Sequence, residues 1–253
     1  MFFDTHAHYD SSKFDSDREE VLLSLQESGV SLVVDPGDNT ERSRRAVELA
    51  HRYPFLYAAV GWHPEEAEDW TDACLADIRT LAQDDRVVAI GEIGLDYYWD
   101  KTHKETQKKM FRAQNELALE LGLPVIVHDR EAHGDCMEII RDYPRLRGVF
   151  HCFSGSVEMA KELVDRGWYL GFDGPITYKN AVKALEVLRA IPLERILLET
   201  DSPYLSPVPN RGKRNDSRNL PWIAAVVARE KELTVEAVAA ATMENGKKLF
   251  GIE

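Results

Sequence analysis

Two histidines one residue apart close the opening run of MFFDTHAHYD, and their spacing sets the first chemical question. If Phe2 to Thr5 is extended, side chains alternate between faces, so His6 and His8 point the same way. Two neutral imidazoles on one face suit a metal ion, because histidine is the commonest metal ligand. A hydrogen-bonded or exposed pair explains the decapeptide equally well, so further ligands must come from elsewhere in the chain.

Residues of ligand type recur at the ends of later apolar runs. Glu92 lies in VVAIGEIG, His128 closes LPVIVH, His151 lies in GVFHCF and Asp201 closes RILLETD. These runs belong to a series of eight strand candidates: MFFDTH, SLVVDP, FLYAAVG, VVAIGEIG, LPVIVH, GVFHCF, WYLGFDG and RILLETD. Amphipathic stretches separate them, among them DREEVLLSLQESG, KETQKKMFRAQNELALELG and SVEMAKELVDRG, and most stop near Gly or Pro. Eight strand–helix alternations imply parallel pairing through crossovers, and eight units close a (β/α)8 TIM barrel. TVEAVAAATMENGKKLF adds an extra C-terminal helix. An open doubly wound sheet is the competing architecture, but no GxGxxG follows the first strand. No linker or low-complexity segment interrupts the pattern, so one domain is expected over 1–253.

In such a barrel active sites gather at the C-terminal ends of the strands. His6, His8, Glu92, His128, His151 and Asp201 then converge on one mouth from five strands. Six ligands exceed the four of a tetrahedral zinc site. A carboxylate bridging two ions fits better, and Glu92 is its natural candidate. His6, His8 and Asp201 would flank one ion, and His128 and His151 the other.

Composition bounds the partners. The 253 residues carry 44 acidic and 31 basic side chains, a net charge of −13, which argues against wrapping a polyanion over the whole surface. Three cysteines, none in a CxxC pair, give neither a disulfide framework nor a zinc ribbon. No secretory h-region and no long apolar run is present, which points to a cytoplasmic protein without a membrane partner. Monomer is the default expectation.

DTHAHYD, GEIGLDYYWD, VIVHDREAHGD, FHCFSGS and LLETDSPYLSPVPNRGKRN together resemble the TatD-type metal-dependent deoxyribonucleases of the amidohydrolase superfamily. The HxH element is widely shared, whereas GEIGLDYY with LLETDSP is far more specific. The resemblance covers nearly the whole chain. It implies metal-ligand roles for His6, His8, Glu92, His128, His151 and Asp201, and a bridge that needs no carbamylated lysine. It also implies a metal-dependent hydrolase of ester bonds, cutting DNA phosphodiesters, from a strand end. One departure stands out: the family often reads HRGKRNEP where this chain reads NRGKRNDS.

The residues then acquire roles. Two divalent ions, drawn from Zn, Mn, Mg, Ni or Fe, activate a water. Asp201 both ligates and accepts a proton, with Glu92 the second catalytic carboxylate. Glu199 shares a strand face with Asp201 and either orients a ligand or pairs in the core. Arg211, Lys213 and Arg214 in the loop after the eighth strand, with Lys179 after the seventh, are candidate phosphate contacts, since phosphate sites in this fold favour those loops. His63 in GWHP could touch a phosphate or leaving group, or simply fix a turn. Tyr97, Tyr98 and Trp99 could stack on bases or pack the loop. The competing function is a small-molecule amidohydrolase or esterase on the same metal centre.

Overall fold

The computed structural model describes all 253 residues. Strands and helices alternate from the start: β1 (Phe2–Asp4), α1 (Arg18–Glu27), β2 (Val30–Pro36), α2 (Thr40–Arg52), β3 (Leu56–Val60), α3 (Asp72–Leu81) and β4 (Val87–Asp96). There follow α4 (Lys104–Leu121), β5 (Val125–Arg130), α5 (His133–Arg141), β6 (Gly148–Phe150), α6 (Val157–Asp165), β7 (Tyr169–Phe172), α7 (Val182–Ala190) and β8 (Ile196–Leu198). Two further helices, α8 (Leu220–Lys231) and α9 (Val235–Phe250), end the chain. The eight strands form one sheet in chain order. This is the (β/α)8 barrel with an extra C-terminal helix that the alternation predicts.

The chain divides into two compact units, residues 36–151 and residues 1–35 together with 152–253. The second of these joins the two chain ends. Thr5 N–H donates to the Leu198 carbonyl at 3.1 Å, and Ala7 pairs in parallel with Ser202. Helix α9 braces β1 from behind. Its Gly246 lies so close that an added Cβ would come within 2.6 Å of the Phe3 ring. The helix starts where the Thr234 side chain accepts the Ala237 N–H and stops at left-handed Gly251.

Residues 36–151 are built around β4, whose ten residues are all buried, as a strand of a parallel sheet requires. It pairs with β5 so that Gly94 lies opposite His128 and Asp96 opposite Arg130. Close approach explains the two glycines of GEIG. A Cβ on Gly91 would sit 2.7 Å from that of Ile126, and one on Gly94 would sit 2.0 Å from the His128 carbonyl oxygen.

Strand boundaries differ from the sequence reading. His6 and His8 follow β1, His151 follows β6, and Asp201 lies three residues beyond β8. Glu92 and His128 sit inside their strands instead of ending them. The cause at two of these points is backbone handedness. Cys152 and Asp201 take φ of 42° and 55°, which no ladder accommodates.

Candidate metal centre

In the unit that joins the chain ends, the backbone delivers three candidate ligand side chains to one point. Asp4 is fully buried at the end of β1, where it accepts the Thr200 N–H at 3.0 Å and the Thr200 hydroxyl at 2.6 Å. His8 N–H donates to the Ser202 carbonyl, and Asp201 N–H to that of His6. These bonds lace the segment after β1 to the segment after β8. The left-handed backbone at Asp201 then turns its carboxylate toward the imidazoles. His6 Nε2 and His8 Nε2 are 3.1 Å apart, and Asp201 Oδ1 lies 3.7 Å and 3.5 Å from them.

That spacing suits a cation. An ion with donors about 2.0–2.1 Å away separates neighbouring donors on a tetrahedron by about 3.3 Å. Two imidazole nitrogens facing each other share at most one proton, whereas one cation satisfies both lone pairs. The donor set therefore fits a divalent metal.

Behind His8 stands a residue that the sequence reading missed. Asp10 is fully buried, with Oδ1 4.0 Å from His8 Nδ1. Glu199 is also fully buried. It accepts the Cys152 N–H and occupies the space that Gly171 leaves by lacking a Cβ.

The other unit holds a second cluster, centred on Glu92. Glu92 Oε1 is 2.8 Å from His128 Nδ1 and 2.8 Å from His151 Nε2. The two imidazole nitrogens are 3.3 Å apart. His63 joins them, with Nε2 3.4 Å from the same oxygen and its ring edge-on to His128. Its Nδ1 accepts the Glu65 N–H, which leaves the ring proton on Nε2, facing Glu92. Sequence reasoning placed His63 at the mouth without foreseeing this contact.

Asp96 is the second residue missed. It is fully buried, and its Oδ2 is 2.9 Å from His128 Nε2. His128 thus offers Nδ1 inward while its outer nitrogen meets a carboxylate, as in most metal-bound histidines. Burial opposes charge on this imidazole, but hydrogen bonds to Asp96 and Glu92 outweigh it and raise its pKa to about 9. Burial also opposes charge on Asp96. The His128 hydrogen bond and the Trp99 and Tyr98 N–H groups nevertheless hold its carboxyl below the ordinary range. The cluster is one that attracts positive charge, and it too fits a metal.

The candidate phosphate contacts separate. Arg211, Lys213 and Lys179 are exposed. Arg211 lies 4.4 Å over the Tyr178 ring, which lines a cavity of 540 Å³ also bordered by Cys152, Asp173 and Lys183. Arg214 is different. It grips Asp17 with two bonds of 2.8 and 2.6 Å, so its charge is already neutralised within the fold. The departure from HRGKRNEP is structural as well: Ser217 N–H donates to the Tyr9 hydroxyl at 3.0 Å, which a proline there could not do.

The chain is similar to known proteins along its whole length. The family described as TatD related DNase matches residues 3–251. The chain is 45% identical over 254 residues to YabD of Bacillus subtilis, named an uncharacterized metal-dependent hydrolase, with all of both chains covered. It is 36% identical over 257 residues to the protein named 3'-5' ssDNA/RNA exonuclease TatD of Citrobacter koseri, covering 99% of each. The crystal structure of the TatD homologue YJJV from Escherichia coli superposes with a TM-score of 0.94 at 34% identity, covering 100% of this chain and 98% of that one. No helix is long and apolar enough to cross a membrane. The chain belongs to the TatD-related DNase family of metal-dependent hydrolases.

Proposed function

We propose that the chain is a two-metal phosphodiesterase that trims single-stranded nucleic acid, DNA foremost, from an end. Its hydrolase domain spans residues 1–253 and acts as a cytoplasmic monomer. The observation that carries this reading is Glu92 Oε1, held 2.8 Å from two imidazole nitrogens, one within β5 and one just after β6. A buried carboxylate so placed is a ready-made metal bridge. His6, His8 and Asp201 would hold one ion, and His128 and His151 the other, with Glu92 shared.

When bound, divalent ions lower the pKa of a water and polarise a phosphoryl oxygen. The protein supplies the rest. The Asp201 side chain is 15% exposed, so it reaches the substrate side and can accept the proton of the attacking water. Asp96 fixes the ring of His128, and the buried Asp10 carboxylate stands behind that of His8. His63 presents an N–H where a leaving oxygen would need a donor. Arg211, Lys213 and Lys179 steer the phosphates, and the exonuclease name of the Citrobacter koseri relative supports a strand-end substrate.

The test is a metal-depleted preparation assayed on single-stranded DNA, RNA and a neutral carboxyl ester. Chelation will abolish hydrolysis and Mn²⁺, Mg²⁺ or Zn²⁺ will restore it on the nucleic acids. Undiminished activity after confirmed metal loss, or restored turnover of the ester alone, would overturn the reading.

Asp96 gives a second expectation. Asp96→Asn keeps the size of the side chain but removes the charge facing His128 Nε2. Outer carboxylates of this kind alter metal affinity about 10- to 100-fold when changed. Titration with Mn²⁺ will show one of the two ions weakened to that extent; unaltered affinity for both would refute the orienting role.

A further inference from the structure

GEIGLDYYWD carries three consecutive aromatic residues, and the fold treats them differently. Tyr97 is 8% exposed and donates its hydroxyl to Asp135 at 2.6 Å, so it packs the loop. Tyr98 and Trp99 are 49% and 63% exposed. Their rings stand at right angles, centroids 4.7 Å apart. Arg130, opposite Asp96 in the β4–β5 register, lays its guanidinium 4.3 Å from the Tyr98 centroid and 5.4 Å from that of Trp99. It forms no ion pair with a carboxylate. In a chain of net charge −13, this cation is therefore left uncancelled by any acidic side chain.

The exposed rings are not on a loose loop. Tyr98 N–H and Trp99 N–H both donate to Asp96 Oδ1, at 2.8 and 2.7 Å. Gln107 clamps the same residue, donating from Nε2 to the Asp96 carbonyl and accepting the Asp96 N–H. The next turn is closed by Asp100, which accepts from the Thr102 N–H and hydroxyl. Asp96 Oδ2 meanwhile meets His128. One carboxylate therefore fixes both a candidate metal ligand and two solvent-facing aromatics.

We propose that Tyr98, Trp99 and Arg130 form a base-stacking subsite for a single-stranded nucleic acid, an inference that rests on the phosphodiesterase reading for the identity of the strand. Exposed aromatic faces interleaved with an unpaired arginine are how single strands are held without regard to sequence. The ring takes a base whatever its identity, because every base has a π-face. The guanidinium takes the adjoining phosphate and reinforces the stack. The subsite adds affinity for strands long enough to reach it, and it does so independently of base sequence.

The experiment measures binding, by anisotropy, of a labelled phosphorothioate thymidine 15-mer and of an abasic strand of equal length to the Mn²⁺-loaded protein. Trp99→Ala will weaken binding of the 15-mer about 10-fold, and Trp99→Ala with Tyr98→Ala about 100-fold, by the usual worth of a stacked base. Trp99→Phe will restore most of the loss. The abasic strand, which has nothing to stack, will be nearly indifferent to all three. Equal losses on both strands, or none on the 15-mer, would overturn the subsite. The two readings fail separately. A wild-type protein that binds with this base dependence but hydrolyses no strand would sink the phosphodiesterase and spare the subsite. One that degrades DNA while Trp99→Ala binds normally would do the reverse, and no binding at all would sink the subsite.

Discussion

Glu92→Gln is expected to leave a folded protein that has lost both metal ions and hydrolyses DNA about a thousandfold more slowly, within the range that general acid–base and metal-activation losses span. The amide keeps the shape of the side chain and an oxygen able to accept from His128 or His151. What it removes is the negative charge that the proposed bridge would share between two ions. Two cations without their common anion repel each other and are both released. His128→Ala removes only one terminal ligand, so it will lose mainly one ion. Metal analysis of the two purified variants separates the cases. Equal occupancy in both would contradict the bridge, and a Glu92→Gln enzyme with ordinary turnover would remove Glu92 from the chemistry.

Gly94→Ala is expected to be among the most damaging single substitutions for stability. Gly94 holds φ at 140°, a region that side-chain-bearing residues rarely enter, and its Cβ would be placed 2.0 Å from the His128 carbonyl oxygen. Backbone strain of this kind costs about 1–3 kcal/mol. Overpacking against a fixed backbone adds about 1–3 kcal/mol. The sum, about 2–6 kcal/mol, is a large fraction of the roughly 5–15 kcal/mol that holds a typical domain folded. Gly134→Ala supplies the contrast, since its Cβ meets nothing within 4 Å and alanine favours the helix. Denaturant midpoints will fall steeply for Gly94→Ala and stay level or rise for Gly134→Ala. Matching midpoints would show that β4 and β5 can part without cost.

The barrel was legible in the sequence because alternation of short apolar runs with longer amphipathic ones is a local signal repeated eight times. The residues that gather in the two clusters were legible because His and acidic side chains are costly inside apolar runs, so their presence there demands a reason. Strand ends were not. Cys152 and Asp201 leave the ladder through a left-handed backbone, which neither residue type announces. Asp10 and Asp96 were missed because a carboxylate behind a histidine is defined by a contact in space; for Asp96 the partner lies 32 positions away. Both stand inside the quoted motifs, as the last residues of DTHAHYD and of GEIGLD, which was the only signal available. One member of the charge run RGKR has a partner that the sequence does not announce. Arg214 finds Asp17, 197 residues distant, a pairing that proximity along the chain does not suggest. His51, His103 and His133 each pair with a carboxylate at 2.8–2.9 Å, away from either cluster.

The division of the chain bears on the order in which the protein can be made. Residues 36–151 are one continuous run, so the cluster of His63, Glu92, His128 and His151 needs only neighbours that leave the ribosome together. The segment bearing His6 and His8 emerges first but waits longest. Its partners are Leu198, Thr200 and Ser202, and its brace reaches Phe250, whose ring lies 6.0 Å from Phe3. Contacts separated by nearly the full length of a chain carry a loop-closure penalty and form late. During synthesis the first strand can pair with β2 on one side, but its other edge stays open, of the kind that chaperones shield. A nascent chain stalled before residue 196 holds the Glu92 cluster in its own compact unit, and the partners of the His6–His8 segment not at all.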